Sequence, residues 1–425
     1  MTALYRQSVS TLPPAYTLSR AEGSNSNAIS LSAPQPGAPP RYSAVFGDPE
    51  QDEFFGAQPT EHEYFLRSGL IKSKPWARLR IRSRPSSTPN KAPKFFGGDN
   101  IAGMVGLNLD SPQVVNSISL LLRGRIVTSF AVGGSYTFLE YSHNVWNKSA
   151  GDPRGTTAGQ KFNGKLLGNF EFPFSFPFAV EADILQPSSG SGKRASRPEL
   201  VYRLPQSILE HNLKSNVEYE LALHIAHGPF RADSTLKASV IFIPEITPDP
   251  PSVMRQNAYM ANSRLPGPET DLEGWVSLPK LLVKGLMEKC RHVELEYSLY
   301  LASPLCYTRG TVIPCYLVIS SQDSRSLELL ASPKLQYIRL ARRVTLFENP
   351  LKGIEQHVQG KQPKVLEEFD EAELAVWWSP PKDVLQDQHV KRLEGEIHLA
   401  KELPPSSNFL PFSIEVSHVM STHCP

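Results

Sequence analysis

Cysteine, long apolar runs and net charge are all scarce in this 425-residue chain, and each shortage excludes a class of protein. Four cysteines without C-x-x-C spacing are too few for a disulfide-stabilised secreted fold, so free thiols are expected. No stretch reaches the roughly 18 apolar residues of a membrane-spanning helix, and the N-terminus lacks a signal-peptide pattern. The 44 basic and 42 acidic side chains leave a net charge of +2, which gives no overall field for nucleic acid. The sequence therefore predicts a cytoplasmic protein that does not bind nucleic acid.

Proline is the residue in excess, with 38 in 425 residues, or about 9% against a usual ~5%. Residues 1–57 combine prolines with Ser, Ala, Gly and Asn and follow neither a helical nor a strand period. Such a composition cannot bury enough apolar surface to offset the entropy of the chain. Residues 1–57 are therefore predicted to be a disordered, proline-rich tail.

Beyond residue 60 the dominant pattern is alternation of apolar and polar residues with period two, which is typical of strands. The clearest apolar row is Val217, Tyr219, Leu221, Leu223 and Ile225. Similar rows occupy 293–301 and 311–319, and further strands are predicted at 117–130, 236–243, 335–346, 393–399 and 412–419. No segment of comparable length has a convincing helical period; residues 365–377 come nearest, and are acidic enough for a loop. Many short strands separated by turn residues predict an all-β fold of antiparallel sandwiches.

A proline-rich stretch divides the strands into two groups. Residues 244–274 contain six prolines and few β-branched residues, which is typical of a connector. The predicted order is the tail at 1–57, a first immunoglobulin-like sandwich at 58–246, a connector at 247–274 and a second sandwich at 275–425.

Patterns that indicate catalysis or metal binding are weak. His224 and His227 are three residues apart in a predicted strand, where they face opposite sides and cannot share a metal. The segment Gly159 to Lys165 has the P-loop spacing, but Leu166 stands where Ser or Thr must bind magnesium, and a strand pattern follows. The sequence predicts a protein that is not an enzyme and has no catalytic residue, metal or cofactor.

The tail contains two P-P-x-Y motifs, the sequence that WW domains bind. Their residues are Pro13, Pro14 and Tyr16, and Pro39, Pro40 and Tyr42. Paired prolines preset the polyproline II conformation for an aromatic groove, and the tyrosine fills the neighbouring pocket. Composition predicts roughly 0.03 such matches by chance in this tail. The tyrosines are 42 − 16 = 26 residues apart, about 25–30 Å in a flexible chain, so tandem WW domains can bind bivalently.

Alternating arginines form a second candidate site. Arg78, Arg80, Arg82 and Arg84 share one face of a predicted strand at an edge of the first sandwich. Guanidinium groups suit bidentate contacts with phosphate, so phosphorylated tails or anionic lipid headgroups are predicted ligands. The alternative is a solvated strand face whose arginines pair with the carboxylates of residues 48–63.

Two turn-and-strand segments resemble the arrestin family. Phe96 to Gly103, followed by an apolar strand that ends at an expected exposed Gly124, is similar to the arrestin N-terminal domain. Thr308 to Cys315 is similar to the strand-opening turn of the arrestin C-terminal domain. The resemblance covers about residues 60–420 and implies two arrestin-like sandwiches in tandem.

This resemblance implies a non-enzymatic adaptor of the α-arrestin type. Its P-P-x-Y motifs recruit a WW-domain HECT ubiquitin ligase, while the arrestin domains engage membrane transporters or receptors as cargo for ubiquitination and endocytosis. Such a protein is cytoplasmic and peripheral at the plasma membrane or endosome. In the better-known members the motifs follow the arrestin domains, whereas here they precede them. Two alternatives stay open: a retromer-like coat or scaffold subunit without a ligase, and a carbohydrate-active or ligand-binding β-sandwich enzyme.

Overall fold

Antiparallel strands make up most of the regular structure, which confirms the all-β class. The computed structural model describes residues 58–67, 74–85, 92–128, 135–155, 162–185, 200–209, 215–229, 231–287, 291–381, 387–401 and 403–421. Before residue 244 the strands are β1 (Thr60–Arg67), β2 (Pro75–Ser83), β3 (Lys94–Phe96), β4 (Asn100–Thr128), β5 (Ser135–Asn147), β6 (Lys165–Pro177), β7 (Glu181–Asp183), β8 (Val201–Arg203), β9 (Ser215–His227) and β10 (Ser234–Ile243). After residue 274 they are β11 (Trp275–Ser277), β12 (Leu281–Met287), β13 (Arg291–Ala302), β14 (Val312–Ser320), β15 (Tyr337–Phe347), β16 (Val365–Leu374), β17 (Val376–Trp378), β18 (Val390–His398) and β19 (Phe412–Ser421).

The 29-residue strand β4 organises the first group of strands. Its N-terminal part pairs with β2 and β6, and its C-terminal part pairs with β5 and β9. Breaks in register between Leu109 and Gln113 and between Val115 and Ser117 separate the two parts. Beyond β9 follow β10 and then β3, which runs parallel to β10. One strand therefore joins two sets of neighbours.

The core of this first group follows the predicted alternation. The row on β9, with Val217, Leu221 and Ile225, is fully buried, which confirms the clearest strand prediction. Strand β6 adds four buried phenylalanines, at positions 170, 172, 174 and 176, between exposed polar residues and prolines. Pro173 and Pro177 are tolerated because, among the described strands, β6 pairs with β4 alone, so its other edge requires no amide donors.

The second group forms a six-stranded and a three-stranded sheet. The first has the order β11-β13-β14-β18-β17 with β12 also on β13, and the second has the order β16-β15-β19. The predicted rows on β13 and β14 are buried in one cluster with Ile338 and Leu340 of β15. The strands predicted at 335–346, 393–399 and 412–419 correspond to β15, β18 and β19.

Residues 365–377, the nearest to a helical pattern in the sequence, are strands β16 and β17 and not the loop that their acidity suggested. Asp370 suits a strand because it lies opposite the buried Arg342 and is ion-paired with it at 2.5 Å. The α-helices in the described residues are short: α1 (Val253–Met260), α2 (Ser324–Leu330) and α3 (Pro350–Val358). Each helix is preceded by an N-cap residue whose side chain accepts a hydrogen bond from a backbone amide of the first turn. These residues are Ser252, Asp323 and Asn349.

The proline-rich connector contains α1 and no strand, and it packs closely against the second group. Arg255 is buried, donates to the carbonyl oxygens of Ser303 and Gly274, and lies over the ring of Trp275. Buried charge of this kind needs such partners, so the connector is fixed at this end. The described residues from 58 to 421 belong to one compact unit.

The first hydrophobic core also includes residues from the end of the chain. Phe409 is fully buried there, and its ring contacts Phe138 of β5 edge-on with ring centroids 4.8 Å apart. Phe412 and Ile414 of β19 belong to the same buried cluster. The sequence-based division at residues 247–274 stays a prediction, but this core is built from both sides of it.

Candidate functional site

The arginine row lies on the solvent face of β2. Leu79 and Ile81 between the arginines are fully buried, so the period-two pattern places the guanidinium groups outward as predicted. Strand β2 lies between β1 and β4, however, and is therefore not an edge strand of its sheet. The predicted edge position was wrong because β1, which precedes it, pairs along its full length.

Two carboxylates bridge the first two arginines. Glu63 of β1 lies opposite Arg80 in the strand register, 3.1 Å from its Nε and 3.7 Å from Arg78. Glu171 of β6 approaches from the other side, 3.3 Å from Arg78 and 3.9 Å from Arg80. The two guanidinium groups and two carboxylates form a closed network across three elements of the sheet.

The last two arginines have carboxylate partners of their own. Arg82 is 3.2 Å from Glu61, its register partner on β1. Arg84, one residue beyond β2, binds both oxygens of Asp99 and lies 3.7 Å from Glu245. The hydrogen bond that Arg84 donates to Asp99 raises the pKa of the guanidinium, which therefore stays charged.

Asp99 also explains the turn that resembles the arrestin N-terminal domain. Its carboxylate accepts from the backbone amide of Phe96 at 2.8 Å, while Arg84 lies over the Phe96 ring. Gly98 has a φ of +89°, a left-handed conformation that favours glycine. Glycine and the acidic residue are thus required by the turn itself.

The face therefore sets four guanidinium groups against five carboxylates: Arg78, Arg80, Arg82 and Arg84 against Glu61, Glu63, Glu171, Asp99 and Glu245. Exposed pairs of this type contribute about 0–1 kcal/mol each, and more only in networks. Glu61 and Glu63 belong to the acidic stretch named in the alternative interpretation, and they are paired as it described. As built, this face ties β1 and β6 to β2 and carries no excess positive charge.

The other sequence patterns lie apart from one another. His224 contacts Thr235, whereas His227 is buried and contacts Ser234, so the two rings have separate partners. Leu166 is buried, and the P-loop-like spacing leads into β6. Within the described ranges no three His, Cys, Asp or Glu side chains are grouped as metal ligands.

A buried acidic residue beneath the connector was not found from the sequence. Glu394 of β18 accepts from Arg264 of the connector at 2.6 Å and from the indole of Trp378 at 3.2 Å. Trp377 beside it is buried in the second core. The alternation of Glu394 and Glu396 with apolar residues in β18 is the only local signal, and it does not reveal the partner 130 residues away.

Both P-P-x-Y motifs lie outside the described residues, so Pro13, Pro14, Tyr16, Pro39, Pro40 and Tyr42 have no structural description here. Gly124, expected to be exposed, is buried: a Cβ atom there would lie 2.5 Å from the ring of Phe138. In the described part of the chain, Cys306 and Cys315 are free, and burial raises the pKa of the Cys315 thiol.

No protein-family model matches the chain, and the search of curated proteins finds no match. In the described residues, no helix is both long enough and apolar enough to cross a membrane.

Proposed function

We propose that this chain is a non-enzymatic, arrestin-like trafficking adaptor that brings a WW-domain HECT ubiquitin ligase to membrane transporters or receptors. Two arrestin-like sandwiches in tandem would hold the cargo, and the P-P-x-Y motifs at Tyr16 and Tyr42 would bind the ligase. Ubiquitination then favours endocytosis. A cytoplasmic protein that associates peripherally with the plasma membrane or endosome fits this role.

The observation that carries the proposal is the pair of P-P-x-Y motifs in one proline-rich segment. Composition predicts roughly 0.03 such matches in this segment, so one copy is already unexpected and two are far above chance. The all-β architecture supports it, because strands with solvent-exposed faces and edges bind proteins through shape and backbone contacts. The absence of a catalytic pattern in the sequence is consistent with a binding role.

The test is a pull-down of the full chain with an array of purified WW domains. Tyr16→Ala combined with Tyr42→Ala should abolish capture, because both pocket anchors are lost. Each single variant should retain monovalent binding and lose the avidity of a tandem WW protein, which is typically 10²–10⁴-fold. Tyr5→Ala is the matched control, since this tyrosine lies in the same segment but does not follow two prolines.

Unchanged capture by the double variant would refute ligase recruitment through these motifs. If the double variant instead still co-purifies in a stoichiometric coat complex, the retromer-like alternative is favoured. Phosphorylation of either tyrosine should also weaken capture, because a dianion must enter a mostly apolar pocket.

A further inference from the structure

Strand β12 is an open edge of the six-stranded sheet. It pairs with β13, and no other described strand pairs with it. Leu282 and Leu286 on its outward face are 48% and 60% exposed, and Lys284 lies between them. An exposed, apolar edge of this kind is a template for a further strand.

Strand β16 is an open edge of the three-stranded sheet. It pairs with β15, and no other described strand pairs with it. Val365 and Phe369 on its outward face are 39% and 63% exposed, and Glu367 lies between them. The outward residues of β16 thus place an acidic side chain between two apolar ones, whereas those of β12 place a basic side chain between two apolar ones.

We propose that β12 of one molecule pairs antiparallel with β16 of a second copy of this chain. In the register that places Lys284 opposite Glu367, residue numbers of facing pairs sum to 651. That register sets Leu282 opposite Phe369 and Leu286 opposite Val365. Apolar side chains then face apolar ones, and the basic residue faces the acidic one.

Charge complementarity identifies the second copy as the occupant. Lys284 already contacts Glu294 of β13 at 3.1 Å, so the joined sheet reads Glu294, Lys284 and then Glu367 of the other molecule. Negative and positive charges alternate across these three strands, and the Lys284 ammonium group has a carboxylate on each side. Pairing two β12 strands would instead place two Lys284 ammonium groups opposite each other, which is destabilising.

The two edges are different surfaces, so the contact is heterologous and leaves one edge of each kind free at the ends. Such contacts form open chains when the rotation between copies does not close a ring. One added strand buries less than the roughly 1,200 Å² of a stable interface, so the association is weak and depends on concentration. This inference does not depend on ligase recruitment.

Charge reversal tests the contact in the full-length chain. Sedimentation velocity from about 1 to 300 μM should show a weight-average coefficient that rises with concentration for the native protein. Lys284→Glu and Glu367→Lys should each weaken association by about tenfold, because like charges then face each other. An equimolar mixture of the two variants should restore association, because each contact between one variant and the other again places a carboxylate opposite an ammonium group.

Controls separate the contact from general charge effects and from misfolding. Lys352→Glu and Glu355→Lys make the same charge changes on the exposed side of α3 and should leave association unchanged. Lys284→Gln, which removes the charge without placing a carboxylate beside Glu294, should weaken association less than Lys284→Glu does. Thermal melts of all variants verify folding.

Three results would overturn the proposal. The first is a native chain that stays monomeric over the whole concentration range. The second is Glu367→Lys that associates like the native protein, which would identify pairing of β12 with itself. The third is a mixture of folded single variants that fails to regain association.

Discussion

Phe409 offers the sharpest test of how the two parts of the chain are coupled. This residue belongs to the C-terminal part of the sequence, yet it is fully buried in the core built by β4, β5 and β9. Its ring packs edge-on against Phe138, and Tyr202 lies 6.1 Å away. Phe409→Ala therefore opens a cavity among residues that precede it by more than 200 positions.

The expected loss follows from the burial. Removing a fully buried phenylalanine costs about 3–5 kcal/mol. Residues 58 to 421 number 421 − 58 + 1 = 364. At the usual entropy per residue, their unfolding entropy is about 0.8 kcal/mol/K. A loss of ~4 kcal/mol therefore lowers Tm by about 5 °C. In a double-mutant cycle, Phe138 and Phe409 should couple by about 0.5–1.5 kcal/mol beyond area burial.

Calorimetry and circular dichroism measure these quantities. If the shared core couples the two parts, Phe409→Ala lowers one common transition rather than the later part alone. Phe369→Ala on the exposed face of β16 is the matched control, with an expected change within about 0.5 kcal/mol at dilute concentration. Two separate transitions, of which Phe409→Ala moves only one and Phe138→Ala only the other, would refute the reasoning.

Three further predictions concern other parts of the fold. Burial lowers the pKa of His62 in the folded protein. The neutral ring therefore contributes to stability above the unfolded pKa of ~6.5, and this contribution is lost as the pH falls below that value. His62→Gln should therefore make Tm depend less steeply on pH between about pH 7.5 and 5.5. Gly124→Ala should cost about 1–3 kcal/mol in urea unfolding, because its Cβ meets the ring of Phe138, and a neutral result contradicts that contact. Arg80→Gln should leave flotation with anionic liposomes unchanged, because Glu63 already neutralises the guanidinium; selective loss of anionic binding would support the predicted anion site.

The strands that the sequence predicted well are those with one buried face. In β9 and β13 every second residue over a run of nine is a large apolar side chain that lies in the core, so period two is visible in the sequence without any partner strand. Strand β16 was missed because Asp370 breaks its apolar row, and Arg342, the buried partner of Asp370, lies in another strand. Local pattern cannot reveal compensation by a distant residue.

The arginine row shows the same limit at the candidate site. Alternation predicted the outward face, but Glu171, which lies 93 residues from Arg78, is brought there only by pairing of β6 with β4. Short helices were also missed, although Asn349 followed by Pro350 is a typical start signal for α3. Helices of seven to nine residues are too short to show a clear helical period in the sequence.

The course of β4 has a consequence for synthesis on the ribosome. Three of its four pairing strands, β5, β6 and β9, come after it in the chain, and β9 ends at His227. The interval between Thr128 and His227 is 227 − 128 = 99 residues, which takes about 5–20 s to translate. During that time β5 and β6 are made, but the C-terminal part of β4 still lacks β9, so apolar residues of β4 stay accessible to chaperones until β9 covers them.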